Sequence, residues 1–318
     1  MDRMSCRKWS IRPWATTLLM GALMGTSYAG SNDTQVAFET PEKALAALAV
    51  ASKALDTNTL NTYFGPTMAE IANPDPIQRA NNLRRFSQYL DEFSGLATQD
   101  NGQVVIQVGN EHWPFPIPLV QRDGQWRFDT PAGKEEILNR RIGRNELSAI
   151  EVCHSYIQAQ REYAAKDCAG KGTMEYAQHM CSTPGMTDGL YWETRPGEDP
   201  SPFGPLVGAA QEEGYYQQTK PNPGVPRQRK PFHGYLFRIL TKQGPEAPGG
   251  KHDFIINGHM VAGFGLLAYP VEWGNSGVMT FIVNQQGKVF QKNLGEKTTE
   301  LAPAIDEYNP DTTWHPAE

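Results

Sequence analysis

From Asp75 to Phe93 the apolar side chains Ile77, Ala80, Leu83, Phe86, Leu90 and Phe93 recur at three and four residues, the spacing that places them on one helix face. After Gly102 that period is lost. The runs "QVVIQV", "HWPFPIPLVQR" and "QWRFDT" are short and extended, and Asp100-Asn101-Gly102 and Asp123-Gly124 punctuate them with the dipeptides of tight hairpins. This switch of period limits the first part of the chain to helices closed over one face of an antiparallel sheet, an α+β unit. Thr40-Pro41 and Asp75-Pro76 mark two helix starts, each with a side-chain cap before a proline whose missing N–H costs nothing there. Leu45, Leu48 and Leu55 form the stripe of the first helix. Pro114, Pro116 and Pro118 cannot donate to a ladder, so the middle run is an edge or broken strand. A short helix from Lys134 to about Arg141 closes this unit, residues 35–142.

The second unit, residues 143–318, starts with a long helix capped by Asn145 and reaching Lys166. Its polar stripe is narrow, and Leu147, Ile150, Val152, Cys153, Tyr156, Ile157 and Tyr163 make a wide apolar face, the pattern of a largely buried helix. A Pro/Gly-rich excursion covers residues 195–232, with one short helix near "PLVGAAQEEG". Long loops of this kind are functional or mobile more often than short ones. The runs "HGYLFRIL", "HDFII", "MVAGFGLLAYP", "GVMTFIVN" and "KVFQK" follow, with turns at Asn257-Gly258 and Gln286-Gly287. They predict a four- or five-stranded antiparallel sheet packed on the long helix.

The amino terminus predicts the compartment. Arg3, Arg7, Lys8 and Arg12 precede an apolar run from Trp14 to Met24 and the small-residue site Ser27-Tyr28-Ala29. That is the layout of a secretory signal peptide, residues 1–29, and the apolar run falls short of the roughly 20 residues that span a bilayer. Cleavage removes four bases and one acid and moves the net charge from −6 to −9. An acidic exported chain is expected to bind no nucleic acid and to hold no stable membrane insertion after cleavage. A periplasmic or secreted setting follows.

Three cysteines then remain, Cys153, Cys168 and Cys181. An oxidising compartment favours a disulfide. An unbroken helix would hold Cys153 about 20 Å from Cys168, too far to bridge, which leaves Cys168 with Cys181. Zinc on Cys168, His179 and Cys181 is the alternative, but there is no CxxC pair and no second histidine at ligand spacing. "AGKGT" is a turn, because the first glycine of a phosphate loop is absent and glycine follows the lysine. Neither metal nor cofactor is expected.

No catalytic constellation is evident. Ser276 in "EWGNSG" lacks the surroundings of a nucleophile elbow. A hydrolase site between the two units, using residues such as His233, Asp188 and Ser276, is the enzymatic alternative. Loop aromatics are the candidate recognition surface: Tyr191 and Trp192 in "STPGMTDGLYW", and Trp273, together with His233.

The segments "RRIGRNELSAIEVCHSYIQAQREYAAKD", "STPGMTDGLYW", "PFHGYLFRILTKQGPEAPGG" and "AGFGLLAYPVEWGNSGVMTFIVNQQGKVFQKNLG" resemble a family of uncharacterised exported bacterial proteins, a domain of unknown function. That resemblance implies a Gram-negative envelope setting and supplies no activity. In layout, the buried helix followed by an antiparallel sheet resembles the globular part of type IV pilins. The expectation is a non-enzymatic role in binding or envelope scaffolding, with an unknown envelope protein or ligand as partner. An accessory role in a secretion or pilus system is a further alternative.

Overall fold

The computed structural model describes residues 35–168, 172, 174–195, 197–215 and 230–317. The signal segment 1–29 and residues 196 and 216–229 of the 195–232 excursion lie outside the described residues.

Four helices open the described chain: α1 Pro41–Lys53, α2 Thr57–Phe64, α3 Thr67–Glu70 and α4 Pro76–Glu92. The expected caps form. Thr40 accepts from Lys43 N at 3.3 Å, and Asp75 accepts from the backbone N–H groups of Ile77 and Gln78 at 3.0 and 3.1 Å. Helix α1 stops short of Leu55, which adopts a left-handed conformation (φ 54°) and is exposed. The turn it makes brings α2 back across α1.

Strands β1 Ser94–Thr98, β2 Val104–Val108, β3 Trp113–Pro114, β4 Leu119–Arg122 and β5 Gln125–Phe128 build an antiparallel sheet of order β1-β2-β4-β5, with β3 also on β2. Val104, Ile106 and Val108 point into the core on alternate positions of β2, as a sheet with one covered face requires. The proline-rich run "HWPFPIPLVQR" is a broken strand, divided into β3 and, past Pro118, β4, in keeping with its missing donors. Asp123 (φ 53°) and Gly124 (φ 78°) make the β4–β5 turn in the left-handed region that the dipeptide favours. Leu48, Phe64, Ile106, Leu119 and Phe128 form the first core.

The next helix departs from expectation. Instead of two helices there is one, α5 Thr130–Ala165, 36 residues long, or about 54 Å. Asn145 caps nothing. It is buried inside α5, its amide donates to Ser276 O at 2.8 Å, and its oxygen accepts from Gln78 Nε2 at 2.7 Å. Tertiary partners satisfy the side chain that would otherwise compete with the helix backbone. Leu147, expected on the buried face, is 66% exposed. The expected boundary at 142/143 falls inside α5, and residues 34–318 form one compact unit.

Beyond α5 come β6 His179–Cys181 and β7 Gly189–Tyr191, paired in parallel, then α6 Gly204–Glu212. The second large sheet follows. It uses β8 Tyr235–Leu240, then after short pairs (β9 Lys242–Gln243 with β10 His252–Asp253, β11 Ile255–Ile256 with β12 His259–Met260) β13 Gly265–Pro270, β14 Met279–Asn284, β15 Phe290–Asn293 and, past α7 Thr298–Leu301, β16 His315–Pro316. The order is β16-β15-β14-β13-β8, antiparallel throughout. The run "HDFII" leaves this sheet for the short pairs, and the chain terminus supplies the fifth strand. Leu266, Ala268 and Phe281 pack toward Tyr156 and Tyr163 of α5, while Leu267, Tyr269 and Ile282 pack toward Ala302, Tyr308 and Trp314. The strand β13 is therefore buried on both faces. The fold is α+β. Among the described residues no helix is long and apolar enough to cross a membrane.

Candidate ligand-binding site

A cavity of about 920 Å³ opens between α1–α4, the loop at Phe115–Ile117 and the first turns of α5. Its size is at the upper end for small-molecule sites. Asp56 caps α2 through Thr59 N (3.0 Å) and Thr59 Oγ1 (2.6 Å), which directs Leu60 and Phe64 to one wall. Phe86 of α4 stacks on Phe115 with ring centres 5.0 Å apart, and Phe64 lies 6.0 Å from the same ring. Leu83 and Ile137 complete an apolar lining.

Polar groups enter from two directions. Ser52, on α1, is fully buried, and its Oγ has no hydrogen-bond partner among the described residues. Leaving such a group unsatisfied costs about 1–3 kcal/mol. Arg79, Arg141 and Arg144 also line the cavity, and none has a carboxylate at ion-pair distance among the described residues. Arg141 is 7% exposed and donates to Ile71 O at 2.7 Å and to Asn275 Oδ1. Burial, then the neighbouring charge of Arg144, pushes its guanidinium down to about 10, against the pull of Glu272. It still carries its charge at neutral pH. Arg144 is held below its ordinary range by burial and by Arg85 and Arg140. Arg79 donates to Asn73 O at 3.2 Å.

A buried polar junction backs the arginine end. Asn73 Nδ2 donates to Gln78 Oε1 at 2.7 Å, and Asn275 Nδ2 donates to Ala72 O at 3.1 Å. Asp75 is 1% exposed, and its second oxygen accepts from Tyr215 Oη at 2.8 Å and Gly234 N at 3.1 Å. Burial and the Asp75 charge push the Tyr215 phenol up. Through these bonds α4, α5 and the loops near 215, 234 and 276 are tied into one body.

The sequence-predicted residues lie elsewhere. Tyr191 ends β7 and, with Trp192, packs against the second core. Trp273 donates to Asn293 Oδ1 at 2.9 Å across a turn. His233, in a left-handed conformation (φ 47°), stacks on Phe232 and bridges Ser148 Oγ (2.6 Å, at Nδ1) to Glu213 Oε2 (2.7 Å, at Nε2). The hydrolase alternative is not assembled from the residues expected. Ser276 is buried and exchanges bonds with the backbone of Glu272, and Asp188 accepts from Thr183. The expected bond between Cys168 and Cys181 is not formed in the structure; Cys168 is half-buried, and its carbonyl accepts from Thr187 Oγ1, while Cys181 is exposed on β6. Among the described residues no cluster of three His, Cys, Asp or Glu is placed to hold a metal ion.

Ser52, Arg79, Arg141 and Arg144 were not singled out from the sequence. One signal was present: Ile137, Arg141 and Arg144 share a helix face at i, i+4 and i+7.

The model of the family described as protein of unknown function (DUF2950) matches residues 35–317. The chain belongs to this family. The DUF2950 match thus spans both sheets, the long helix and the cavity. No curated protein matches the chain, and no solved structure does.

Proposed function

We propose that the protein is a non-enzymatic binding protein of the cell envelope, periplasmic or secreted, which takes an apolar small molecule into the cavity between α4 and α5. One observation carries this reading: a cavity of about 920 Å³ walled by Leu60, Phe64, Leu83, Phe86 and Phe115. A well-packed core leaves few voids larger than a water molecule, so an apolar space of this size calls for a guest. The test is a titration of the full chain with Nile red, an uncharged dye that brightens in apolar surroundings. Saturation at one site, lost when Leu83→Trp fills the cavity, supports binding there. Equal brightening in the variant removes the cavity from the account.

Hydrolysis is a second reading, favoured by the Ser148–His233–Glu213 chain. A neutral ring that accepts from Ser148 at Nδ1 must carry its proton at Nε2, toward Glu213, which is the polarity of a serine and its general base. Ser148 sits inside α5, however, where the neighbouring backbone N–H groups are committed to the helix and do not serve as oxyanion donors. A fluorophosphonate probe that labels Ser148, with labelling lost in His233→Ala, would favour hydrolysis over simple binding.

A further inference from the structure

We propose that the cavity's ligand is an anionic amphiphile, an acyl chain ending in a carboxylate or phosphate, whose head is held by Arg79, Arg141 and Arg144. This deepens the binding reading above and rests on it.

The charge distribution is the first argument. The chain carries a net charge of −6, and several bases elsewhere stand beside acids, Lys134 with Glu70 at 2.6 Å, Arg140 with Glu136 at 2.5 Å and Lys242 with Asp306 at 2.8 Å, while Arg161 and Arg238 bond carbonyls; what sets the cavity apart is three guanidinium groups on one space. Acids are in excess, yet no described carboxylate reaches any of the three guanidinium groups on the cavity. Arg141 is the most telling of them. Its two bonds go to a carbonyl and a side-chain amide, and the opposing charge of Glu272 acts from beyond ion-pair distance. A buried charge without a paired carboxylate is costly, and Arg144 beside it makes the cost larger. An oxyanion entering the cavity would remove both penalties. Arginine's planar fork suits carboxylate and phosphate alike.

The second argument is the shape of the polar and apolar parts. Leu60, Phe64, Phe86 and Phe115 offer a wall to which a chain or ring can contribute only dispersion and burial. A small inorganic anion would leave that wall unfilled, and an uncharged lipid would leave the arginines unmatched. An amphiphile meets both demands.

Calorimetric titration of the full chain with dodecanoate, dodecyl phosphate and dodecanol decides the matter. One of the two anions should bind about tenfold or more tighter than the alcohol, and the tighter anion identifies the head. Arg79→Met and Arg144→Met, both at solvent-exposed positions and each checked for an unchanged urea midpoint, should each weaken the anion about tenfold and leave dodecanol unchanged. Equal affinity for all three compounds, or anion binding untouched in the double variant, overturns the assignment while leaving an apolar binding site. If none of the three binds and none displaces Nile red, the cavity reading falls as well.

Discussion

Asp75 offers the sharpest test of how this molecule is held together. Its carboxylate caps α4 with one oxygen and receives Tyr215 Oη and Gly234 N with the other. Replacement by alanine removes the cap, worth about 1 kcal/mol. It also strands the buried Gly234 N–H, at about 1–3 kcal/mol, and ends a charge-assisted bond to Tyr215 of about 1.5–3 kcal/mol, part of which water recovers because Tyr215 is only half-buried. The expected loss for Asp75→Ala is about 3–5 kcal/mol. Asparagine caps as well as aspartate, but with its oxygen on Ile77 N and Gln78 N its amide N–H₂ faces the donors Gly234 N and Tyr215 Oη. Asp75→Asn should therefore lose about 1–3 kcal/mol, with the difference reporting the cap. Urea unfolding read by tryptophan fluorescence and by circular dichroism gives both numbers, provided the two transitions coincide. Losses below about 0.5 kcal/mol in both variants would show that this carboxylate does not pin the 215 and 234 loops to α4. Equal losses would show that the cap contributes nothing.

Gly277→Ala should destabilise by about 1–3 kcal/mol, because a Cβ there would sit 2.2 Å from Tyr235 Oη, a hydroxyl fixed by its bond to Met279 O; an unchanged urea midpoint would contradict it. Cys153 is fully buried and its thiol is pushed up to about 12 by burial, so iodoacetamide at neutral pH should modify it only once denaturant is added, as peptide mass mapping will read. For Cys168 and Cys181 we propose pairing in the oxidising compartment, and a nonreduced tryptic digest showing both as separately alkylated peptides would exclude it. Asp56 is held below the usual carboxylate range by Thr59, through hydroxyl first and backbone N–H second. A depressed folded-state value contributes stability that is complete above the unfolded value and is lost as pH falls through the folded one. Asp56→Asn should accordingly flatten the decline of the unfolding midpoint below about pH 5.

Local chemistry was readable wherever it acted locally. Thr40-Pro41 and Asp75-Pro76 begin helices, Asp123-Gly124 and Asn257-Gly258 turn hairpins, and β2 alternates as its residues require. What stayed hidden depends on partners remote in sequence. Asn145 looks like a cap until Ser276, 131 residues away, supplies the acceptor for its amide. Arg79, Arg141 and Arg144 resemble solvated surface bases, and only folding gathers them on one cavity. Ser52 is silent in a helix otherwise rich in alanine and leucine. His233 was noticed among the candidates, but its partners Ser148 and Glu213 were not, since 85 and 20 residues separate them from it. The stripe that correctly forecast burial for Tyr156 and Tyr163 misplaced Leu147, which is exposed while its neighbours Glu146 and Ala149 face β14 and the second core.

Helix α5 carries Ile137 and Arg141 against the cavity at one end and Tyr156 and Tyr163 against the second sheet at the other. Each residue of an α-helix advances the azimuth by about 100°. Deleting a single residue between Ile137 and Tyr156 would rotate one set of contacts almost a third of a circle out of phase with the other. The spacing along this rod is thus a gauge: it sets the orientation of the cavity wall against the far sheet, and no loop could absorb an error in it.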